Sequence, residues 1–239
     1  MVDRENKNIQ PIIDTFRIGK AYTITQAAQL VKTTPATVRR WLLGYQAPGH
    51  QTEPVFGEDR NLKEDGPLVV SFLELIEIAV VAKFRTMRSG RRQVSLGHLR
   101  RAHQFAREQL QLPYPFATLK LFEFGGHVLH EFDKQFPGQG TLALDIGGQW
   151  VLPAIVVKEK THLDFGDTDP FALRWFPKGR GIPIVVDPHV AAGRATIYQS
   201  GVTLETLNRR WHRGETIDDL AVDYDLTPWV VEEALKYAA

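Results

Sequence analysis

The chain has no cysteine and only two methionines. Without cysteine there is no disulfide framework and no thiolate zinc site, which fits a reducing cytoplasm. Long hydrophobic runs are missing too: Leu68 to Ala82 is the most apolar stretch, and Glu74 and Glu77 interrupt it well short of a bilayer span. The opening residues, MVDRENKNIQ, are polar and charged, unlike a secretory signal. Neither a phosphate-cradling GxxxxGK nor a GxSxG elbow occurs. These absences point to a cytoplasmic binding protein rather than a membrane protein or an enzyme, with no cofactor.

What is present is an uneven distribution of charge. The net charge is only +1, yet residues 1–110 hold 17 Lys+Arg against 11 Asp+Glu, and residues 111–239 hold 12 against 17. Halves of opposite sign suggest that the basic half meets an anion and the acidic half something else. Between Glu77 and Glu108 no acidic residue occurs, while Lys83, Arg85, Arg88, Arg91, Arg92, Arg100, Arg101 and Arg107 do. Such a run can follow a phosphate backbone or form a solvated helix face.

Periodicity organises the rest. Residues 1–20 read as a lead-in with a short strand at Thr15–Ile18. Residues 45–67 read as a loop or β-wing. From Leu68 to Met87 apolar residues cover most of a helical circumference, which calls for burial from several sides, as in a bundle or a dimer seam. Ser71 and Glu74 have the spacing of a capping box there. Ser95 caps a further helix to Leu110 with Leu99, Ala102, His103 and Ala106 on one face, ended by the prolines of Leu112-Pro-Tyr-Pro. Thr118–Phe124, Thr141–Ile146, Val151–Val157 and Ile182–Val186 read as short strands. No repeat of the solenoid kind is visible. His127 and His130, and the segment His162 to Asp169, lack the spacing of known metal loops, so no metal is expected. A nuclease built on Asp164, Asp167 and Asp169 would require those carboxylates to converge.

The segment YTITQAAQLVKTTPATVRRWLLGY carries the strongest signal. Thr25 is the expected cap of a first helix with small Ala28 and Val31 on its inner face. Thr34 caps a second, with Pro35 at its first position and Val38 and Trp41 inward. Thr37, Arg39 and Arg40 then face outward, where arginines reach guanine edges or phosphates. Thr25, Gln26, Lys32 and Thr34 complete the candidate DNA-contacting set on this pair. Lys32 stands where such turns more often hold glycine. This stretch resembles the N-terminal helix-turn-helix of the MerR family, in which a wing and a long dimerisation helix follow. The resemblance places the wing at Phe56–Leu62, with Arg60 and Lys63 on phosphates, and Arg91 and Arg92 extend the basic surface.

The C-terminal stretch reads as a strand and turn leading to three helices: to about His212, Ile217 to Tyr224, and Pro228 to Ala238. The last two form a second helix-turn-helix whose outer face carries Asp218, Asp219, Asp223, Asp225, Glu232 and Glu233. Such a face repels phosphates and suits protein. Ile184–Val186, Asp187-Pro188, Gly193, Ile197, Gly214, Asp219-Leu-Ala and Ala234-Leu-Lys-Tyr resemble a domain family of unknown function found in bacterial antitoxins; Gln199-Ser200-Gly201 departs from its usual Gly-Thr-Arg. With the N-terminal pair and SFLELIEIAVVAKFR, the whole resembles VapB antitoxins of VapBC type II toxin–antitoxin modules. That resemblance implies a homodimer that represses its own operon through operator DNA and neutralises a VapC PIN-domain ribonuclease. Arg174-Trp175-Phe176 and Arg209-Arg210-Trp211 are the candidate toxin contacts by chemistry.

The expected fold is mainly α with a small mixed α+β middle. The expected segments are a DNA-binding unit at 1–66, a helical dimerisation region at 67–112, a β-containing linker at 113–181, and a helical C-terminal domain at 182–239. The alternative function is a MerR-like regulator whose C-terminal half senses a ligand, which an apolar pocket in residues 111–186 would favour.

Overall fold

One helix, α4 (Phe72–Thr86), is apolar nearly all round, and the chain is arranged to cover it. Every residue from Ser71 to Ala82 is buried. The computed structural model describes residues 13–56, 67–86, 95–111, 113–118, 161–167 and 169–238. Among these, helices predominate, joined to small antiparallel sheets. Around α4 lie the short helix α1 (Thr15–Ile18), the 3₁₀ turn Pro115–Ala117, and α5 (Leu96–Leu110). The burial that the sequence demands of α4 is therefore met inside one chain, and a dimer seam along it is not required. Each large apolar side chain sealed there contributes about 1.5–3 kcal/mol.

Two glutamates share this core, and both are satisfied. Ser71 and Glu74 form the expected capping box: the Ser71 N–H donates to Glu74 Oε2 at 2.6 Å, and the Glu74 N–H donates to Ser71 Oγ at 3.3 Å. Lys20 Nζ adds a charge-assisted bond to the same carboxylate at 2.6 Å. Glu77 Oε1 lies 2.9 Å from His103 Nε2 and accepts from the Phe116 N–H at 3.3 Å. Unpaired, either carboxylate would cost several kcal/mol.

The first helix pair is α2 (Ile24–Leu30) and α3 (Pro35–Leu43), preceded by the two-residue strand β1 (Tyr22–Thr23). The cap of α2 is Thr23 rather than Thr25: its hydroxyl accepts from the Gln26 N–H, and the Gln26 side chain returns to the Thr23 N–H at 2.9 Å. A threonine two residues earlier wins because only there does glutamine fall at the third helical position. Thr34 caps α3 as expected, with Pro35 following. Gly44 ends α3 at φ +75, where a Cβ would come within 2.2 Å of the Thr52 carbonyl. That close approach lets the hairpin β2 (Tyr45–Ala47) and β3 (His50–Thr52) start directly from the helix. Thr15–Ile18 is helical, not a strand, because the Asp14 carboxylate accepts from the N–H groups of Phe16 and Arg17. Val69–Val70, in the apolar run just ahead of the Ser71 cap, forms strand β4 and pairs with β1.

A four-stranded antiparallel meander follows: β5 (Leu163–Phe165), β6 (Ala172–Trp175), β7 (Ile184–Val186) and β8 (Ala195–Ile197). Then come α6 (Leu204–Trp211), α7 (Ile217–Asp223) and α8 (Pro228–Ala238), close to their expected bounds. One apolar cluster runs from Tyr22 to Val186, so the first three expected segments all contribute to a single core. A second cluster, from Ile184 to Tyr237, fills the space under α6, α7 and α8. The expected strands within 119–157 lie outside the described residues.

The second helix pair, α7 with α8, repeats the first at a constant offset. Thr23, Ile24, Ala28, Thr34, Pro35, Val38 and Leu42 recur as Thr216, Ile217, Ala221, Thr227, Pro228, Val231 and Leu235. Hydrogen bonds recur with them. Thr33 N–H donates to the Ala28 carbonyl at 2.9 Å, and Leu226 N–H to that of Ala221 at 2.8 Å. Thr216 and Asp219 form a capping box, as do Thr23 and Gln26. Lys32 and Asp225 occupy the left-handed turn position at φ 55 and φ 51.

The two pairs are clamped together. Tyr22 Oη donates to the Gly193 carbonyl at 3.0 Å, and Tyr237 Oη donates to that of Leu30 at 2.6 Å. Lys32 Nζ donates to the Tyr237 carbonyl and lies 4.7 Å over its ring. Lysine thus replaces the usual glycine of the turn and gains a partner that offsets the left-handed strain. Burial, then the nearby Lys178, holds its ammonium below the usual lysine range.

Thr23→Ala should cost about 1 kcal/mol in urea unfolding, and Thr25→Ala less than about 0.5 kcal/mol; equal effects would return the cap to Thr25. At Gly193, φ is +77 and a Cβ would stand 2.1 Å from Tyr22 Oη. Gly193→Ala should therefore destabilise by about 2 kcal/mol or more in the same measurement.

Candidate nucleic-acid and partner-binding faces

The outer face of α3 carries the residues that sequence reasoning assigns to DNA, though not all are available to it. Arg39 and Arg40 are exposed, and neither has an ion-pair partner among the described residues. The Arg40 guanidinium stacks 5.1 Å from the ring centroid of Tyr45, itself exposed on the hairpin. This contact ties the hairpin to the helix and orients the charge. Thr34 and Thr37 bond each other, hydroxyl to hydroxyl, at 2.8 Å while Thr34 caps the helix. Thr25 is exposed, Gln26 is engaged in the cap of α2, and Lys32 is held by Tyr237. Among the described residues, Arg39 and Arg40 are thus the members of the set left with charge to offer.

The wing at Phe56–Leu62 reaches the described residues only at Phe56, which is buried against His103. Arg60, Lys63, Arg91 and Arg92 lie outside them. The hairpin Tyr45–Thr52 holds the position directly after α3. Of the basic run, Arg100 is structural: its Nε donates to the Pro54 carbonyl at 2.8 Å and its Nη2 to that of Glu53. It fastens α5 to the segment after the hairpin.

The candidate toxin contacts fare differently. Trp175 and Phe176 are core residues at 3% and 2% exposure, so they offer no anchor to a partner without unfolding. Arg174 is held by Asp187 at 2.7 Å and Asp164 at 3.7 Å, and the bond to Asp187 raises its basicity. Arg210 is bound by Glu215, by Tyr224 and by Asp223, which raise its basicity likewise. Arg209 and Trp211 remain exposed.

Asp164, Asp167 and Asp169 do not form a joint site. Asp164 is bound by Arg174 and Arg180, while Asp169 binds buried Arg17 and accepts from the Phe171 N–H at 2.9 Å. His189 lies 3.4 Å from Asp14 and 3.3 Å from Asp187, so its ring bridges α1 to the sheet. Among the described residues no three His, Asp or Glu side chains are placed to hold a metal. His127 and His130 lie outside these residues.

A cleft of about 480 Å³ opens where the first helix pair meets the C-terminal helices, lined among others by Gln29, Lys32, Arg194 and Asn208. It lies at the clamp, not within residues 111–186. Two exposed apolar residues, Val222 and Trp229, were not singled out by sequence reasoning. The signal was present in the recurrence of Thr-Ile and Thr-Pro, which marks both as outer positions of a helix pair. No described helix is long and apolar enough to cross a membrane.

Residues 184–238 match a family described as "Protein of unknown function (DUF433)". Over 227 residues the chain is 24% identical to "Uncharacterized protein Rv2308" of Mycobacterium tuberculosis, covering 91% of this chain and 90% of that one. It is also 24% identical over 231 residues to "Putative antitoxin VapB45" of the same organism, covering 91% and 93%. The crystal structure of Rv2018 from Mycobacterium tuberculosis superposes with a TM-score of 0.68 at 21% identity, over 92% of this chain and 97% of that one. The fold is shared along nearly the full length, and an antitoxin-named protein is among the relatives.

Proposed function

We propose that this chain is a cytoplasmic antitoxin of the VapB type. In this reading the α2–α3 pair is a helix-turn-helix that docks α3 in the major groove of operator DNA, and the protein represses its own operon as a homodimer. The same protein holds a VapC-type PIN-domain ribonuclease through its C-terminal half. The observation that carries the DNA part is the pair Arg39 and Arg40, exposed and without ion-pair partners among the described residues, on a helix capped at Thr34 and packed against α2, whose end Tyr237 holds. A rigid support is what converts two mobile arginines into a reading surface. The antitoxin part is supported by the relative named as one. A binding protein, not an enzyme, is also supported by the neutralisation of Asp164 and Asp169 by arginines.

A ligand-sensing regulator is the second reading. The cleft beside Lys32 lies outside residues 111–186, where that reading expects its pocket, but a molecule bound there would touch both the first helix pair and the C-terminal helices.

Truncation after Gly181 would strip β7 and β8 from the sheet and Tyr237 from the clamp, so point substitutions are the cleaner test. Arg39→Ala with Arg40→Ala should weaken binding to a duplex from upstream of the reading frame by about tenfold or more, and reduce the salt slope by about 2. Fluorescence anisotropy across a salt series measures both. Unchanged affinity with an unchanged slope would remove α3 as the reading helix. A short PIN-type nuclease encoded beside this gene should lose its toxicity on co-expression with the full chain.

A further inference from the structure

The repeat of the helix pair becomes informative at the outward positions, where the two copies differ. At the offset that superposes Thr23 on Thr216 and Pro35 on Pro228, Arg39 corresponds to Glu232 and Arg40 to Glu233. Thr25 and Gln26 correspond to Asp218 and Asp219, and Lys32 to Asp225. Inward positions keep their character: Ala28 and Ala221, Val38 and Val231, Leu42 and Leu235 are all buried. The scaffold is the same, and the charge on its outer face is inverted.

Each face also exposes apolar surface beside its charges. On the acidic pair Val222 is 81% and Trp229 50% exposed; on the basic side Leu43 is 39% and Tyr45 45% exposed. Among the described residues Glu232 and Glu233 pair only with Lys236 on their own helix, at 3.6 and 2.8 Å. The Glu232 side chain is 46% exposed, so its pair contributes little and its carboxylate is cheaply released to another cation, while Glu233, at 19%, sits at the edge of the face. Within one chain the two outer faces do not meet: the far end of α8 is fixed at Leu30 and Lys32 by Tyr237, and neither Arg39 nor Arg40 pairs with Glu232 or Glu233.

We propose that the acidic outer face of the α7–α8 pair is a docking surface for the basic outer face of the α2–α3 pair of a second copy of this chain. Duplex DNA is repelled by the acidic face, whereas the chain's own basic face matches it in charge and in exposed apolar area. Because each copy carries both faces, two such contacts can close a two-fold dimer, or one can propagate an open chain. The contact occupies Arg39 and Arg40, so self-association and DNA compete for the same two side chains. This goes beyond the antitoxin reading, whose operator-bound homodimer keeps Arg39 and Arg40 on DNA and must join through another contact; the contact proposed here joins copies that are off DNA.

Sedimentation equilibrium of the full chain tests it, using Glu232→Lys with Glu233→Lys in one variant and Arg39→Glu with Arg40→Glu in the other. The wild type should associate at about 50 mM salt and at least about tenfold more weakly at about 500 mM. Either variant alone sets like charges opposite one another at the exchanged positions and should lose association by about tenfold or more. An equimolar mixture of the two restores both pairings and should associate like the wild type. A monomeric wild type, variants that associate unchanged, or a mixture that does not recover would each overturn the proposal; unchanged association would assign self-contact to another face. Circular dichroism melts check that both variants fold. A duplex of about 30 base pairs forms the second arm: it should displace the association carried by these two faces, and the Glu232→Lys, Glu233→Lys variant should bind it more tightly. If the mixture recovers but no form binds DNA, the docking stands and the DNA reading falls. If DNA binds but the mixture stays monomeric, the reverse holds.

Discussion

A helix that is apolar on all sides and carries two glutamates sets the terms for the rest of this molecule. α4 must be covered from every direction, and each element that covers it must also deliver a hydrogen-bonding group to Glu74 or Glu77. Lys20 comes from the segment after α1, His103 from α5, and the Phe116 N–H from the 3₁₀ turn. The carboxylates thereby specify which neighbour lies where, something apolar contacts alone do poorly. With α4 enclosed, β1 is drawn onto β4, and the first helix pair takes its place on the surface.

That placement gives the two helix pairs their relationship. They share a backbone plan and a turn with a left-handed residue, and the end of one packs on the turn of the other. Tyr237 serves as both donor and acceptor across this junction, through its hydroxyl to Leu30 and its carbonyl to Lys32. The basic and acidic faces are held on one body while facing different surroundings. A molecule built so can present opposite charges to two partners without either face neutralising the other.

Much of this was legible in the residues. Thr34-Pro35, Ser71 with Glu74, and Thr227-Pro228 announce helix starts because capping is local chemistry within four residues. The C-terminal helices followed for the same reason. Thr23 was missed as the cap because Thr25 also precedes a helical pattern, and only the position of Gln26 separates them. The fate of Trp175 and Phe176 could not be read locally: an aromatic pair beside arginine looks like an interface anchor until a sheet is seen to bury it. Lys32 reads as a DNA contact and Arg100 as part of a run on phosphate or in solvent, when backbone carbonyls far away in sequence hold both.

The clamp also bears on how the chain acquires its structure. Tyr22 and Gly193 are 171 residues apart, and Lys32 and Tyr237 are 205 apart. Contacts of such separation close slowly, and synthesis proceeds at about 5–20 residues per second. The first helix pair thus leaves the ribosome early, yet its strained turn has no support until nearly the whole sequence has followed. For roughly ten seconds or more at those rates, a helix pair already made waits for the residues that secure it.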